Sequence, residues 1–243
     1  MQQTTSHRPI RLLLATLAAV LVLAACSGGE DLGGPLLELD ADALQATSAE
    51  VMGEVQSVRF GVERTGAPVF VDGAQSIALD NIDGRFSVPG SADAILSVTV
   101  AGSLRTELGA VAIDDEVWLS NPTTGRFETL PPGFDIDPSL FFDPVDGWRP
   151  LIAGLSDVAV VGEETRNDAT RYHLTGVAPA EAMASITAGL VSGQDVELDL
   201  WLNPVTAEVT SIEFQTEFDG EVSDWVLDLT EYGETFDISP PEE

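Results

Sequence analysis

Short segments in which apolar and polar residues alternate, each closed by a turn signal, constrain this chain most. Val58, Phe60 and Val62 alternate with Arg59, Gly61 and Glu63, and Ala94, Leu96, Val98 and Val100 alternate with Ile95, Ser97, Thr99 and Ala101. Val196, Leu198, Leu200 and Leu202 repeat the pattern, as do Ile212, Phe214 and Phe218, and then Trp225, Leu227 and Leu229. Period two means a half-buried strand, and strands this close together read as an antiparallel meander with one dry face. The punctuation predicts where strands end: Asp80-Asn81, Asp83-Gly84, Pro89-Gly90, Asp114-Asp115, Asn121 to Gly125, Asn203-Pro204 and Asp219-Gly220. About ten or eleven strands follow from this count.

Three stretches break the alternation. From Asp40 or Asp42, which can cap a helix, Leu44, Thr47, Val51 and Val55 share one helical face. Within Asp135–Leu155, two Asp-Pro pairs set up helix starts, and Trp148, Leu151, Ile152 and Leu155 fall at i, i+3, i+4 and i+7. Ala180 to Leu190 places Met183, Ile186 and Leu190 on one side of a further helix. The fold class is therefore α+β, with helices that need the dry face of the sheet to bury theirs.

The first residues are not part of this domain. His7, Arg8 and Arg11 precede an apolar run from Leu12 to Leu23, which has signal-peptide length and is too short to span a bilayer. The run ends Leu23-Ala24-Ala25-Cys26, which resembles the bacterial lipobox; the alternative is an ordinary secretory signal with a chance cysteine. On the lipobox reading, residues 1–25 are removed and Cys26 is acylated. A Gly-rich tether then spans 26–38, one domain occupies 39–236 and an acidic tail occupies 237–243. Two or more acyl chains suffice for stable anchoring. With one cysteine in the chain, no disulfide is available.

Charge limits the partners. All 41 acidic residues but only eight of the ten arginines follow Cys26, and there is no lysine, leaving a formal net charge of −33. Such a surface repels nucleic acid and anionic head groups, so membrane attachment falls to the anchor. Catalytic signatures are missing as well. The one histidine beyond the leader, His173, sits mid-strand and reads as a solvent-facing structural residue. No His/Cys cluster offers a metal site. Asp135, Asp137, Asp143 and Asp146 could hold calcium through oxygen ligands, but their spacing is not that of an EF-hand and helix capping accounts for them. No cofactor and no enzyme activity are expected.

The order of these features resembles the LppX/LprAFG family of actinobacterial envelope lipoproteins. The resemblance rests on the lipobox, the long first helix, the meander, and Asp143-Pro144-Val145-Asp146-Gly147. It continues through Glu163-Glu164-Thr165, Leu174-Thr175-Gly176-Val177, Trp201-Leu202 and Tyr232-Gly233-Glu234. It implies a strongly curved, half-barrel antiparallel sheet like that of LolA-type carriers, with helices on the concave face. It also implies an apolar cavity between them for the acyl chains of an envelope lipid or glycolipid. The implied setting is the extracytoplasmic face of the cell membrane, with a membrane lipid exporter as a further partner. On that reading the cavity lining is Val98, Trp148, Leu151, Ile152, Leu155, Met183, Ile186, Leu198, Leu200, Phe214 and Leu227. The alternation by itself favours the alternative, a structural or interaction lipoprotein whose core is filled.

Overall fold

The computed structural model describes residues 34–114, 116–130, 147–187 and 189–241. Helix α1 (Ala41–Met52) starts where the sequence predicts. Asp40 is its N-cap, and its carboxylate accepts from the Ala43 amide at 2.8 Å. Its buried face differs from the expected one: Leu44, Ser48, Ala49 and Met52 point inward, whereas Thr47 and Val51 are only half-buried. Small residues let α1 lie close to its support, and Gly53 ends it two residues before Val55.

Twelve strands follow α1. They are β1 (Ser57–Gly66), β2 (Val69–Phe70), β3 (Ile77–Ser87), β4 (Ser91–Val100), β5 (Leu104–Ile113), β6 (Glu116–Ser120) and β7 (Phe127–Thr129), then β8 (Ser156–Arg166), β9 (Ala169–Ala178), β10 (Val196–Leu202), β11 (Val209–Phe218) and β12 (Glu221–Thr230). They form a single antiparallel sheet in the order β7-β6-β5-β4-β3-β1-β12-β11-β10-β9-β8, with β2 beside β3. The sheet is open and curved, and β7 and β8 are its two edges. The link between β1 and β12 joins the first and last strands of the sheet. It is reinforced where the Gly233 amide donates to Ser57 O and the Ser57 hydroxyl donates to Glu234 O.

Two turn signals lie inside β3. Asp80-Asn81 is a β-bulge, with the register shifting between Leu79 and Asn81, and not a strand end. The extra residue lets Ile77 and Leu79 on one side of it and Ile82 on the other all line the concave face. Asp83-Gly84 is no turn either. Asp83 ion-pairs with Arg59 on the convex face, and Gly84 makes room for a ring on the concave one. Edge strand β8 carries two further register shifts, between Ser156 and Ala159 and between Val160 and Gly162.

Helix α2 (Trp148–Ala153) and helix α3 (Ala180–Ile186) join α1 on the concave side. Gln45 of α1 donates to the carbonyls of Ile152 and Leu155, both at 2.9 Å, which satisfies acceptors that the end of α2 leaves free. Pro150 sits in the first turn of α2, where a missing N–H does no harm. Helix α3 stops at Ile186, so Leu190 lies beyond it. The aspartates at 135, 137, 143 and 146 and the acylation candidate Cys26 fall outside the described residues.

Candidate functional site: an apolar cavity under the helices

The concave face of β1, β3, β4, β5 and β6 is a set of cross-strand rows. One row runs Leu227, Val62, Ile82, Leu96, Leu108, and every member is a sizeable aliphatic residue. The neighbouring row runs Leu229, Phe60, Gly84, Ala94, Ala110, Leu119. The next runs Val58, Phe86, Ala92, Ala112, Val117. Gly84 and four alanines thus stand together in the middle of the sheet; the Phe60 ring fills the space over the glycine, and the side-chain volume missing above the alanines becomes a cavity.

The cavity measures about 200 Å³. The sheet forms its floor and sides, and Leu130, Trp148, Ile186, Thr187 and Leu190 complete the wall. Phe214 and Trp225 stack at the back, with ring centroids 5.8 Å apart and planes 10° from parallel. The Trp225 indole N–H donates to Thr216 Oγ1 at 2.9 Å, so its polar atom is satisfied and its apolar face is free for the cavity. Asp93 and Thr187 are the polar residues of the wall. The Asp93 carboxylate is held by Arg85, whose Nε lies 2.9 Å from Oδ1. Thr187 Oγ1 donates back to Met183 O at 2.7 Å. Water in such a space would find too few hydrogen-bonding partners; apolar cavities of about 150 Å³ stay dry and accept hydrocarbon instead.

Phe60 sets the width. A Cβ on Gly84 would lie 2.4 Å from Phe60 Cζ, so the ring rests directly over the glycine. Neighbouring Arg64 belongs by strand position to the same concave side, opposite Trp225. Its guanidinium is turned away from the cavity. It donates to the carbonyls of Leu79 and Ala67 at 2.5 Å each and to Gly66 O at 3.2 Å, and it pairs with Asp80 at 3.4 Å. It thereby closes the gap where β1 gives way to β2.

Four residues expected at the cavity, Trp148, Ile186, Phe214 and Leu227, belong to its wall. Val98, Leu151, Ile152, Leu155, Met183, Leu198 and Leu200 are instead packed in the solid core, at 8% exposure or less. The sequence reading did not find the row of Phe60, Gly84, Ala94, Ala110 and Leu119. Its signal was present as small residues at inward positions of adjacent strands, Ala92-x-Ala94 and Ala110-x-Ala112. Only the register places them side by side.

On the convex face His173 departs from its expected solvent-facing state. It is 9% exposed and stacks on Trp201 at 4.6 Å, while Arg166 lies 4.1 Å from the Trp201 ring centroid. Nδ1 is 2.8 Å from Glu164 Oε1 and Nε2 is 2.6 Å from Asp199 Oδ1. The Trp201 indole donates to Glu164 Oε2 at 3.1 Å. Hydrogen bonds from His173 and then Trp201 hold the Glu164 carboxyl below the usual carboxylate range. Both imidazole nitrogens face carboxylates, leaving neither for a serine hydroxyl. Asp199 and Glu213 are cross-strand neighbours of like charge; Asp199 is hydrogen-bonded to His173, and Glu213 is paired with Arg166. Among the described residues no group of His, Cys, Asp and Glu is placed to hold a metal ion, and no helix is long and apolar enough to cross a membrane.

Comparison with known proteins gives a consistent result. A family model described as LppX_LprAFG lipoprotein matches residues 40–238. The lipoarabinomannan carrier protein LprG of Mycobacterium tuberculosis is 23% identical over 239 residues, covering 96% of this chain and 95% of that protein. The LprG of Mycolicibacterium hassiacum is 26% identical over 194 residues, covering 79% of this chain and 80% of its own. Among solved structures, LprF from Mycobacterium bovis superposes with a TM-score of 0.65 at 15% identity, covering 86% of this chain and all of that one. LppX from M. tuberculosis superposes with a TM-score of 0.58 at 12% identity, covering 82% of this chain and all of its own. At such identities the two structures speak for the open, curved sheet alone.

Proposed function

The chain belongs to the LppX_LprAFG lipoprotein family, and from that premise we propose that it is an envelope carrier that shelters acyl chains in the cavity beneath its helices. The observation that carries this reading is the cavity itself, an apolar space of about 200 Å³ floored by Ala92, Ala94, Ala110 and Ala112. Each buried methylene contributes about 0.8 kcal/mol, so hydrocarbon alone provides a large driving force. No covalent chemistry is needed. The carrier is held at the extracytoplasmic face of the cell membrane by acyl groups on Cys26, with residues 26–38 as its tether. A lipid exporter in the same membrane is its further partner. Relatives carrying the name lipoarabinomannan carrier support a lipid or glycolipid cargo here.

Native mass spectrometry of the chain from Ser27 onward, purified gently, tests the reading. It should carry co-purifying acylated lipid, and after delipidation it should take up lipid on mixing. An empty protein that stays empty would end the carrier reading in favour of a structural lipoprotein. Anchoring is tested separately: labelling with radioactive palmitate should mark the full-length protein and not Cys26→Ala.

A further inference from the structure

Three strands meet at His173 on the convex face, and the ring is held from diagonal positions. Its direct neighbours are Gly162 on β8 and Trp201 on β10. Gly162 carries no side chain and follows the second register shift in β8, and Glu164 reaches the ring from its place opposite Arg171. Asp199 reaches it from the other side, from its place opposite Thr175. The separations, 2.8 Å from Nδ1 to Glu164 Oε1 and 2.6 Å from Nε2 to Asp199 Oδ1, are short enough for charge-assisted bonds.

Counting protons ties these bonds to the charge of the ring. An ionised carboxylate only accepts, and a neutral imidazole has a single N–H to give. Hydrogen bonds from His173 and then Trp201 hold the Glu164 carboxyl below the usual range, which favours its ionised form. With both carboxylates ionised, the two bonds exist together only when His173 carries two protons. A neutral ring keeps one oxygen and turns a lone pair towards the other. The two are not equally held. Glu164 also accepts from the Trp201 indole at 3.1 Å, whereas His173 is the one hydrogen-bond partner of the Asp199 side chain among the described residues. The other charges around the ring are Arg166 on β8, lying over Trp201, Arg171 on β9, and Glu213 on β11, which pairs with Arg166 and stands beside Asp199. The Asp199 side chain is 46% exposed, so water receives it once the ring lets go.

We propose that Glu164, His173 and Asp199 form a proton-operated clamp, which joins β8, β9 and β10 while His173 is an imidazolium and releases Asp199 when the ring is neutral. The clamp stands whether or not the protein carries lipid. Val158 and Val160, on the inward side of β8, pack against the core. The clamp therefore ties that edge to β10 in acidic surroundings and slackens the tie in basic ones.

Imidazole 1H–15N spectra of the full chain read the ring directly, with His173→Gln separating its signals from those of His7. They are recorded from about pH 5 to about pH 9, which brackets the range in which imidazoles change charge. Both nitrogens should carry a proton at the acidic end and only Nδ1 at the basic end. A ring with one proton at the acidic end, or with two throughout, overturns the clamp. So does a neutral ring protonated on Nε2, which would keep Asp199. Asp199→Asn supplies an amide that can accept from Nε2–H or donate to a bare Nε2, so it is indifferent to the charge of the ring. The clamp's contribution is present while the ring is charged and is lost as the pH rises through its titration. Relative to Asp199→Asn, the parent's unfolding constant in urea titrations should therefore rise about fivefold across the range, the upper end for a partly exposed ion pair. The same pH dependence in both proteins, with circular dichroism showing the variant folded, also overturns the proposal.

Discussion

The two halves of this sheet share one alternation and one concave face, yet one half is solid and the other hollow. In β9 and β10 the inward residues Tyr172, Leu174, Val196, Leu198, Leu200 and Leu202 are at most 3% exposed beneath the helices. In β4 and β5 the inward residues Ala94, Leu96 and Ala110 are only half-buried, while Ala92, Val98, Leu108 and Ala112 on the same face are at most 6% exposed. The difference is side-chain volume set against helix cover. Alternation decides which side of a strand is dry; the sizes of cross-strand neighbours decide whether that side is full.

Replacing a large residue in each half should separate them most. Leu200→Ala removes a side chain that is 1% exposed, and should lower stability by about 2–5 kcal/mol in a urea titration. Leu119→Ala at the hollow wall already borders empty space and should lower it by about 1 kcal/mol or less, because little packing is lost. Equal losses would mean that the two halves are packed alike.

Enlarging a small residue should give the opposite contrast. Ala178→Leu, at a position with no exposure in β9, overpacks the solid half and should cost about 1–3 kcal/mol. Ala110→Leu projects into the cavity, so its melting temperature should stay near that of the parent while lipid uptake is lost. Ala110 is the better site for such a block than Val98, whose side chain has no exposure and lies in the solid core.

Two smaller effects probe the seams. The Tyr232 hydroxyl, whose pKa burial raises well above its usual value, donates to Val209 O, tying the end of the chain to β11. Tyr232→Phe leaves that carbonyl unpaired and should lower stability by about 1–2 kcal/mol in urea. On the convex face of the solid half, the Glu164 pKa is lowered in the folded state from a reference of 4.5. Its stabilising effect is therefore complete above pH 4.5 and is lost as the pH falls through the lower folded-state value. Glu164→Gln should flatten that part of the melting temperature profile below about pH 4.5 relative to the parent. Parallel profiles would show that the carboxylate does not hold His173 and Trp201 as described.

Much of the frame was legible in the sequence. Asp40 announces α1, the period-two runs announce most strands, and Trp148, Leu151 and Ile152 announce the face of α2. The misreadings have a common cause. Asp83-Gly84 is turn chemistry taken locally, but in β3 the aspartate answers Arg59 and the glycine yields to Phe60, both supplied by another strand. The hollow was hidden for the same reason. Ala94 and Ala110 are unremarkable until the register sets them opposite one another beside Gly84. His173 shows the converse: a polar alternation marks the outward side of a strand, and Trp201 then buries what stands there.

The two register shifts in β8 bear on how many copies can be held side by side. Among the described residues β8 has a strand on one side only, and an edge of 11 residues is a template on which another chain's strand could pair and start a fibre. Bulges at Ser156–Ala159 and Val160–Gly162 break the even spacing of amides and carbonyls that such pairing requires. Asp157, Glu163 and Glu164 add like-charge repulsion against a second copy of the same edge. An edge interrupted in this way is a poor template for strand pairing between copies.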